Sequence, residues 1–575
     1  MKPTREVTNT TKSSAIGNAD QKEDSGANSG ENNFARELVR TEVGTIVPAT
    51  EKNSKQVQIS SGSSSIFNLT GLQESIPVPI RGRHLLGSQW REGDPKSTEM
   101  MVRQSPAQLG VEVGRFPVAK ESEVEEAVGC AKRAFLHWRK ISRIERAECF
   151  NRLAKIIESQ IDSLAELMAW EVGKTLNECK AEVIEGLHMV QYVFGTGRMP
   201  TGHLVASEIS DKEAMIYRKP RGVVAAITPW NFPFAVPLWM LGPSLLEGNT
   251  AVFKPSEDSP AIGQRLVELF LEAKFPAEVI QLVHGDGKTG ECLVKQEDVQ
   301  VILFTGSSVV GQRIQELSAS KKDRIVAAEM GGKSAVMVCS DARLELAVSS
   351  ALISAFKTSG QRCVSAGRVL VAESLLPQFT RSLVARTKQL KIGHPFDPRS
   401  FTGPLINAFA VEKVMQYNQL AAKEGAEILL PGEIVQKPEL QQGYYVSPCI
   451  YQMKHRPESR CLREEVFGPH LAIIPFHDLD EAIEIYNDTD YGLSMSVITE
   501  DFRVMRKIRE ECDFGMGYVN LPCIGAEVHL PFGGVKRSGN GHPSAAGLVS
   551  TVTHQVAWTL NHATEIKMAQ GLEVN

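Results

Sequence analysis

The stretch GVVAAITPWNFPF at residues 222–234 decides the fold: a glycine, a short run of small and branched apolar residues, then Pro229 and Pro233 around the polar tip Trp230-Asn231. A run of this length and composition reads as a strand buried on both faces that ends in a loop. Outward from it the same unit repeats. TAVFKP at 250–255, a helix at 259–274, VIQLVH at 279–284, VQVILFTG at 299–306, a helix at 309–319 and RIVAAEMGG at 324–332 alternate strand with helix. That alternation specifies a parallel sheet in an α/β fold. A second series runs from SAVMVC at 334–339 to SVITE at 496–500, which predicts two α/β domains with the change between them near 329–333.

Upstream, HLLGSQW at 84–90 alternates like a strand. Helices are expected at 122–139, 143–160 and 163–186, the first with a Ser122/Glu125 capping box. HLVASEI at 203–209 and AMIYRKP at 214–220 form a hairpin candidate around the polar 210–213 turn. Residues 1–82 are rich in Ser, Asn, Thr and Gly and poor in aromatics, a composition that cannot offset its ordering entropy, so a flexible extension is expected.

Composition narrows the function. A 575-residue chain with 42% apolar residues has ample core, and a net charge of −5 with no Lys/Arg cluster argues against a nucleic-acid surface. The apolar stretch 223–246 is interrupted by four prolines and reads as buried loop and helix start, not a membrane span. Ten scattered cysteines, none in a CxxC pair, and no HExxH indicate neither a disulfide framework nor a metal site, so a reducing cytoplasm is expected.

Gly285-Asp286-Gly287-Lys288-Thr289-Gly290 matches the dinucleotide fingerprint literally, yet no acid follows at the required distance, and a structural turn is the preferred reading. Phe304-Thr-Gly306-Ser307-Ser-Val-Val-Gly311 is the alternative: it ends an apolar strand and opens a helix whose first N–H groups face whatever sits above the sheet, though as a bare pattern it too is a common helix start and only its company with the other motifs lifts it. Lone Cys363, Asn231 or Glu329 would each read as structural. Together they fill a required set of roles.

ITPWNFP at 227–233, KPSE at 254–257, FTGSSVVG at 304–311, EMGGK at 329–333, GQRC at 360–363, EEVFGP at 464–469, NDTDYGLS at 487–494 and PFGGVKRSG at 531–539 resemble, in order and spacing, the aldehyde dehydrogenase superfamily. The resemblance runs from about residue 83 to the C-terminus. It implies a Rossmann-like cofactor domain (83–201 and 221–330), a second α/β catalytic domain (331–545), and a small β oligomerisation element from the 202–220 hairpin and the 546–575 arm. It also implies oxidation of a small-molecule aldehyde to an acid by a homodimer or homotetramer.

Residue by residue, the resemblance makes Cys363 the nucleophile that forms a thioester, Asn231 an oxyanion donor and Glu329 the base for thioester hydrolysis. Ile227, Pro229, Trp230, Lys254, Glu257, Gly306, Ser307, Gly311, Glu465 and Phe467 would bind the cofactor. Glu257 favours NAD, and Lys254 leaves NADP open. Glu329 argues against transfer to coenzyme A, the alternative reaction; a non-catalytic member of the fold is the other alternative. Arg362 and Glu527 are candidate substrate residues, Arg362 for an anionic semialdehyde such as aminoadipate or glutamate semialdehyde, against a competing reading as a structural salt bridge.

Overall fold

The computed structural model describes residues 78–93, 99–566 and 568; the extension read as flexible lies, up to residue 77, outside the described residues. Among the described residues two large sheets carry the architecture. In the first, the strands run Gly539–Asn540, Ile325–Glu329, Val299–Thr305, Val223–Ile227, Thr250–Lys254, Ile280–Leu282, His84–Leu86 and Gln89–Arg91 across the sheet. The five central strands are parallel and the flanking pairings antiparallel. Every residue of Val223–Ile227 and Thr250–Lys254 is buried. Val224, Ala226, Ala251 and Phe253 enter one core, and Val223, Ala225, Ile227 and Val252 the core on the opposite face, which is the period-two division of a strand covered on both sides.

The second sheet is ordered Glu427–Pro431, Cys449–Gln452, His470–Phe476, Ala366–Ala372, Ser334–Val338, Ser494–Ile498 and Met516–Val519. Only its outermost pairing, with Glu427–Pro431, is antiparallel. The chain leaves the first sheet at Glu329 and enters the second at Ser334. A third, three-stranded sheet pairs Lys212–Pro220 with Gly202–Val205 on one side and with the C-terminal Thr553–Asn561 on the other.

Local expectations needed four corrections. The helix expected over 163–186 is two helices, Ile161–Val172 and Leu176–Thr196, because Gly173 adopts φ 76° and stops the first while Thr175 caps the second. The first helix begins at Glu121, one residue before Ser122, and the acid that reaches back is Glu123, accepting the Lys120 N–H at 2.8 Å. HLLGSQW is a tight hairpin turning at Gly87, φ 63°. The proline-interrupted apolar stretch also contains a complete helix, Ala235–Leu246, with all its residues buried.

Candidate active site

Parallel strands bring their carboxyl ends to one edge, so Ile227, Lys254, Leu282, Thr305 and Glu329 end side by side, where ligands bind in open α/β sheets. The loop carrying Cys363 reaches the site from the second sheet's side, between the helix Leu344–Phe356 and the strand Ala366–Ala372. Three consecutive residues of that loop, Thr358, Ser359 and Gly360, have φ of 53°, 54° and 70°. Left-handed backbone at non-glycine residues is costly and persists only where surroundings fix it. Here Glu178 accepts the Thr358 N–H (2.9 Å) and hydroxyl (2.8 Å), the Ser359 N–H donates to Thr402 Oγ1 (2.6 Å), and the Ser359 hydroxyl donates to Gly403 O (2.7 Å).

Asn231 reaches across to this loop, its Nδ2 donating to Gln361 O at 3.0 Å while its Oδ1 accepts the Phe232 N–H at 3.1 Å. Its own carbonyl accepts from buried Lys174 (3.0 Å), which is ion-paired with buried Glu182. Glu182 also accepts the Phe234 and Ala235 N–H groups at 2.9 and 3.2 Å, fixing the start of the Ala235–Leu246 helix. One amide hydrogen of Asn231 is thus committed to the loop, and an amide carries two.

Two cavities meet at Cys363. The larger, about 260 Å³, is bounded by Pro229, Trp230, Gly306, Ser307, Glu465 and Phe467 among others. The smaller, about 70 Å³, holds Glu329, Arg362 and several aromatic side chains. Cys363, Asn231 and Thr305 line both. A thiol there reaches either chamber.

Glu329 ends its strand fully buried, with neither carboxylate oxygen in a hydrogen bond among the described residues; the Gly534 amide favours the charged form but lies outside ordinary hydrogen-bond geometry. Burial therefore raises its proton affinity well above the usual carboxylate range. Burial, then the Glu329 and Glu465 carboxylates, push the Cys363 thiol well above its usual value. Among the described residues no cation lowers the proton affinity of the thiol. Glu329 lines the same cavity, and a carboxylate with raised proton affinity can take up a proton.

In the larger cavity, Ser307 caps the helix Ser308–Ser318 (Oγ accepting the Val310 N–H at 3.4 Å), so that helix's N-terminus opens beside the cavity wall. Thr305 Oγ1 is buried there without a hydrogen-bond partner among the described residues. Opposite, Glu465 accepts the Gly332 N–H at 2.9 Å, and burial raises its pKa to about 7. A Cβ added at Gly331 would collide with that carboxylate. Lys333 Nζ donates to Glu464 O at 2.8 Å, so EMGGK and EEVFGP are stitched together. Phe467, at φ 60°, sets its ring edge-on to Trp230 at 5.7 Å. An anion-binding helix end, an acid on the facing wall and flat apolar surface fit a dinucleotide.

The structure separates the remaining site candidates. Ile227 and Lys254 end adjacent strands beside the larger cavity without lining it; Lys254 Nζ donates to Pro255 O at 3.0 Å and lies 3.6 Å from half-exposed Glu257. Gly311 is a packing glycine, since a Cβ there would strike Met330 and Phe304. Gly285-Asp-Gly287 is a helix start, with Asp286 accepting the Lys288 and Thr289 N–H groups. Glu527 stays outside the smaller cavity: Gly525 and Ala526 line it, whereas Glu527 pairs with His529 at 3.4 Å with 67% of its side chain exposed. A carboxylate without a buried partner keeps its hydration by facing solvent. Arg362 does line the smaller cavity, but its Nε donates to Thr358 Oγ1 at 2.8 Å and its Nη2 to Glu178 at 3.4 Å.

Comparison with known proteins bears on this geometry. A sequence model described as "Aldehyde dehydrogenase family" matches residues 90–556. The chain belongs to this family. It is 34% identical over 458 residues to an alpha-ketoglutaric semialdehyde dehydrogenase of Bacillus subtilis, covering 79% of this chain and 93% of that one. It is 37% identical over 421 residues to a betaine aldehyde dehydrogenase of the same organism, covering 72% and 85%. Among solved structures, a betaine aldehyde dehydrogenase from Staphylococcus aureus in complex with NAD+ superposes with a TM-score of 0.81 at 29% identity, covering 87% of this chain and 97% of that one.

Four polar residues of this family member escaped the sequence reading: Lys174, Glu178, Glu182 and Glu185. The three acids recur at i, i+4 and i+7 of the Leu176–Thr196 helix and so share one face. Acids repeated on the face that packs inward were the available signal.

Proposed function

We propose that the chain oxidises an aldehyde to a carboxylic acid with NAD as acceptor. What carries the reading is the position of Cys363 in the wall shared by two cavities, with buried, unpartnered Glu329 in the smaller one. The aldehyde enters the smaller cavity. Glu329, once its own proton has passed to solvent, takes the Cys363 proton as the sulfur adds to the carbonyl carbon, while the second Asn231 amide hydrogen and the Cys363 backbone N–H would face the developing oxyanion. Glu465, Gly306, Ser307, Trp230 and Phe467 would hold NAD, which when bound accepts the hydride released as the thioester forms. Glu329, once its proton has passed to solvent, takes one from water, and the resulting hydroxide frees the acid and returns the thiol.

Glu257 supports NAD over NADP by repelling a 2′-phosphate. The acid at 329 supports water over coenzyme A as acyl acceptor. We further read the aldehyde as one bearing an ionised group at its far end, the anionic semialdehydes being one class and cationic aldehydes the other; Arg362 alone does not choose, since Glu178 balances it. A cofactor domain and a catalytic domain built on the two sheets, and self-association through the sheet that exposes Leu204 and Trp558, complete the reading. NADH formation over a panel of aldehydes tests the activity. Absence of turnover by a folded, NAD-binding protein would overturn it, and a rate that requires coenzyme A would overturn the hydrolytic step.

A further inference from the structure

On the aldehyde-oxidising reading above, the smaller cavity receives the body of the substrate, and its charged groups decide which bodies fit. Arg362 is the evident cation in its wall, but it is spoken for. Although burial works against ionisation, Arg362, Lys357 and the Thr358 hydroxyl hold the Glu178 carboxyl below the ordinary range, so arginine and glutamate form a balanced pair. Two turns further along the same helix, Glu185 reaches the same cavity. Its Oε1 is shielded from solvent and has no hydrogen-bond partner among the described residues. Burial, then neighbouring Glu182, raises its pKa to about 8, with Lys174 and Arg362 acting in the opposite direction.

Aromatic rings complete this part of the wall: Trp239 and Phe532, with ring centroids 5.0 Å apart, and Phe232, whose ring is already engaged by Lys174 and Arg362. An acid with an uncommitted oxygen beside aromatic faces is suited to a cation, through a charge-assisted hydrogen bond and ring quadrupoles. A carboxylate-bearing substrate would instead meet a second acid. We propose that Glu185 selects aldehydes carrying an amine at the far end, accepting its N–H, over neutral and carboxylate-bearing aldehydes of similar length. As the ammonium docks, the carboxyl proton of Glu185 leaves for solvent, and one positive charge faces one negative charge in the cavity.

The test compares kcat/KM for 3-aminopropanal, its isostere butanal, and succinate semialdehyde, with wild type and Glu185→Gln, following NADH. The wild type is expected to favour 3-aminopropanal over butanal by about tenfold or more, with succinate semialdehyde below both, and Glu185→Gln to bring the amine-to-neutral ratio close to unity. A wild-type preference for succinate semialdehyde, or a ratio that Glu185→Gln leaves in place, overturns the proposal. If wild type turns over none of the three, the oxidation reading has failed, and calorimetric binding of propylamine still decides Glu185: binding lost in Glu185→Gln sustains its role, and equal or absent binding in the two proteins overturns it. Matching melting curves show that the isosteric variant is folded.

Discussion

Cys363 and Glu329 share a cavity in which burial opposes both thiolate and carboxylate. One proton must move before either half-reaction begins. Glu329→Gln is therefore expected to cut steady-state turnover by about 10²-fold or more, the usual worth of a positioned base, while any residual first turnover ends in accumulated thioester. Rapid-quench detection of acyl-enzyme checks it, and a turnover rate equal to wild type removes Glu329 from the mechanism. The same desolvation has a pH signature. A carboxyl whose folded pKa is raised contributes stability that is complete below its unfolded value, about 4.3, and is lost as pH rises toward the folded value. Glu329→Gln should thus gain melting temperature relative to wild type with rising pH in paired thermal melts; a difference independent of pH would show the acid to be solvated. The proposed roles of Cys363, Asn231 and Glu329 were legible only through the family motifs that carry them, whereas the partner of Arg362 was not, because Glu178 lies 184 positions away in sequence.

At the scale of elements, the helix Leu176–Thr196 organises the site without belonging to either sheet. Glu178 holds the left-handed turn before Cys363, Glu182 holds Lys174 and the loop of Asn231, and Glu185 looks into the smaller cavity. Glu178→Ala removes the partner of a largely buried guanidinium, and a stability loss of about 3 kcal/mol is expected in denaturant titration, with a fall in kcat as the turn loosens. Gly360→Ala should cost about 1 kcal/mol or more, since φ is 70° there and an added Cβ would meet Gly468 O. Apolar periodicity located the strands and most helices, but the break at Gly173 was missed because a glycine inside a periodic stretch reveals its φ only once the chain must turn.

Across the whole molecule, the site exists only where the two sheets meet: Glu329 ends a strand of the first, and Cys363 precedes a strand of the second. A ligand between Ser307 and Glu465 ties both halves together, so NAD at a hundred times its Kd should stabilise the protein by about 2.7 kcal/mol, read as a rise in melting temperature. No shift would mean that the larger cavity is not its site. Removing the residues after 552 strips the Thr553–Asn561 strand from Lys212–Pro220 and should abolish self-association, measured by light scattering. By itself the sequence determined the alternation of strands and helices, the parallel sheets and the three residues of the proposed covalent chemistry, because strand burial and reacting groups dictate residue type locally. Tertiary structure alone decided that Glu527 faces solvent, that Arg362 is balanced by Glu178, and that Glu185, its Oε1 without a hydrogen-bond partner among the described residues, lines the same cavity as Cys363. Charge balance in a cavity depends on groups brought together from distant parts of the chain, and no local pattern records it.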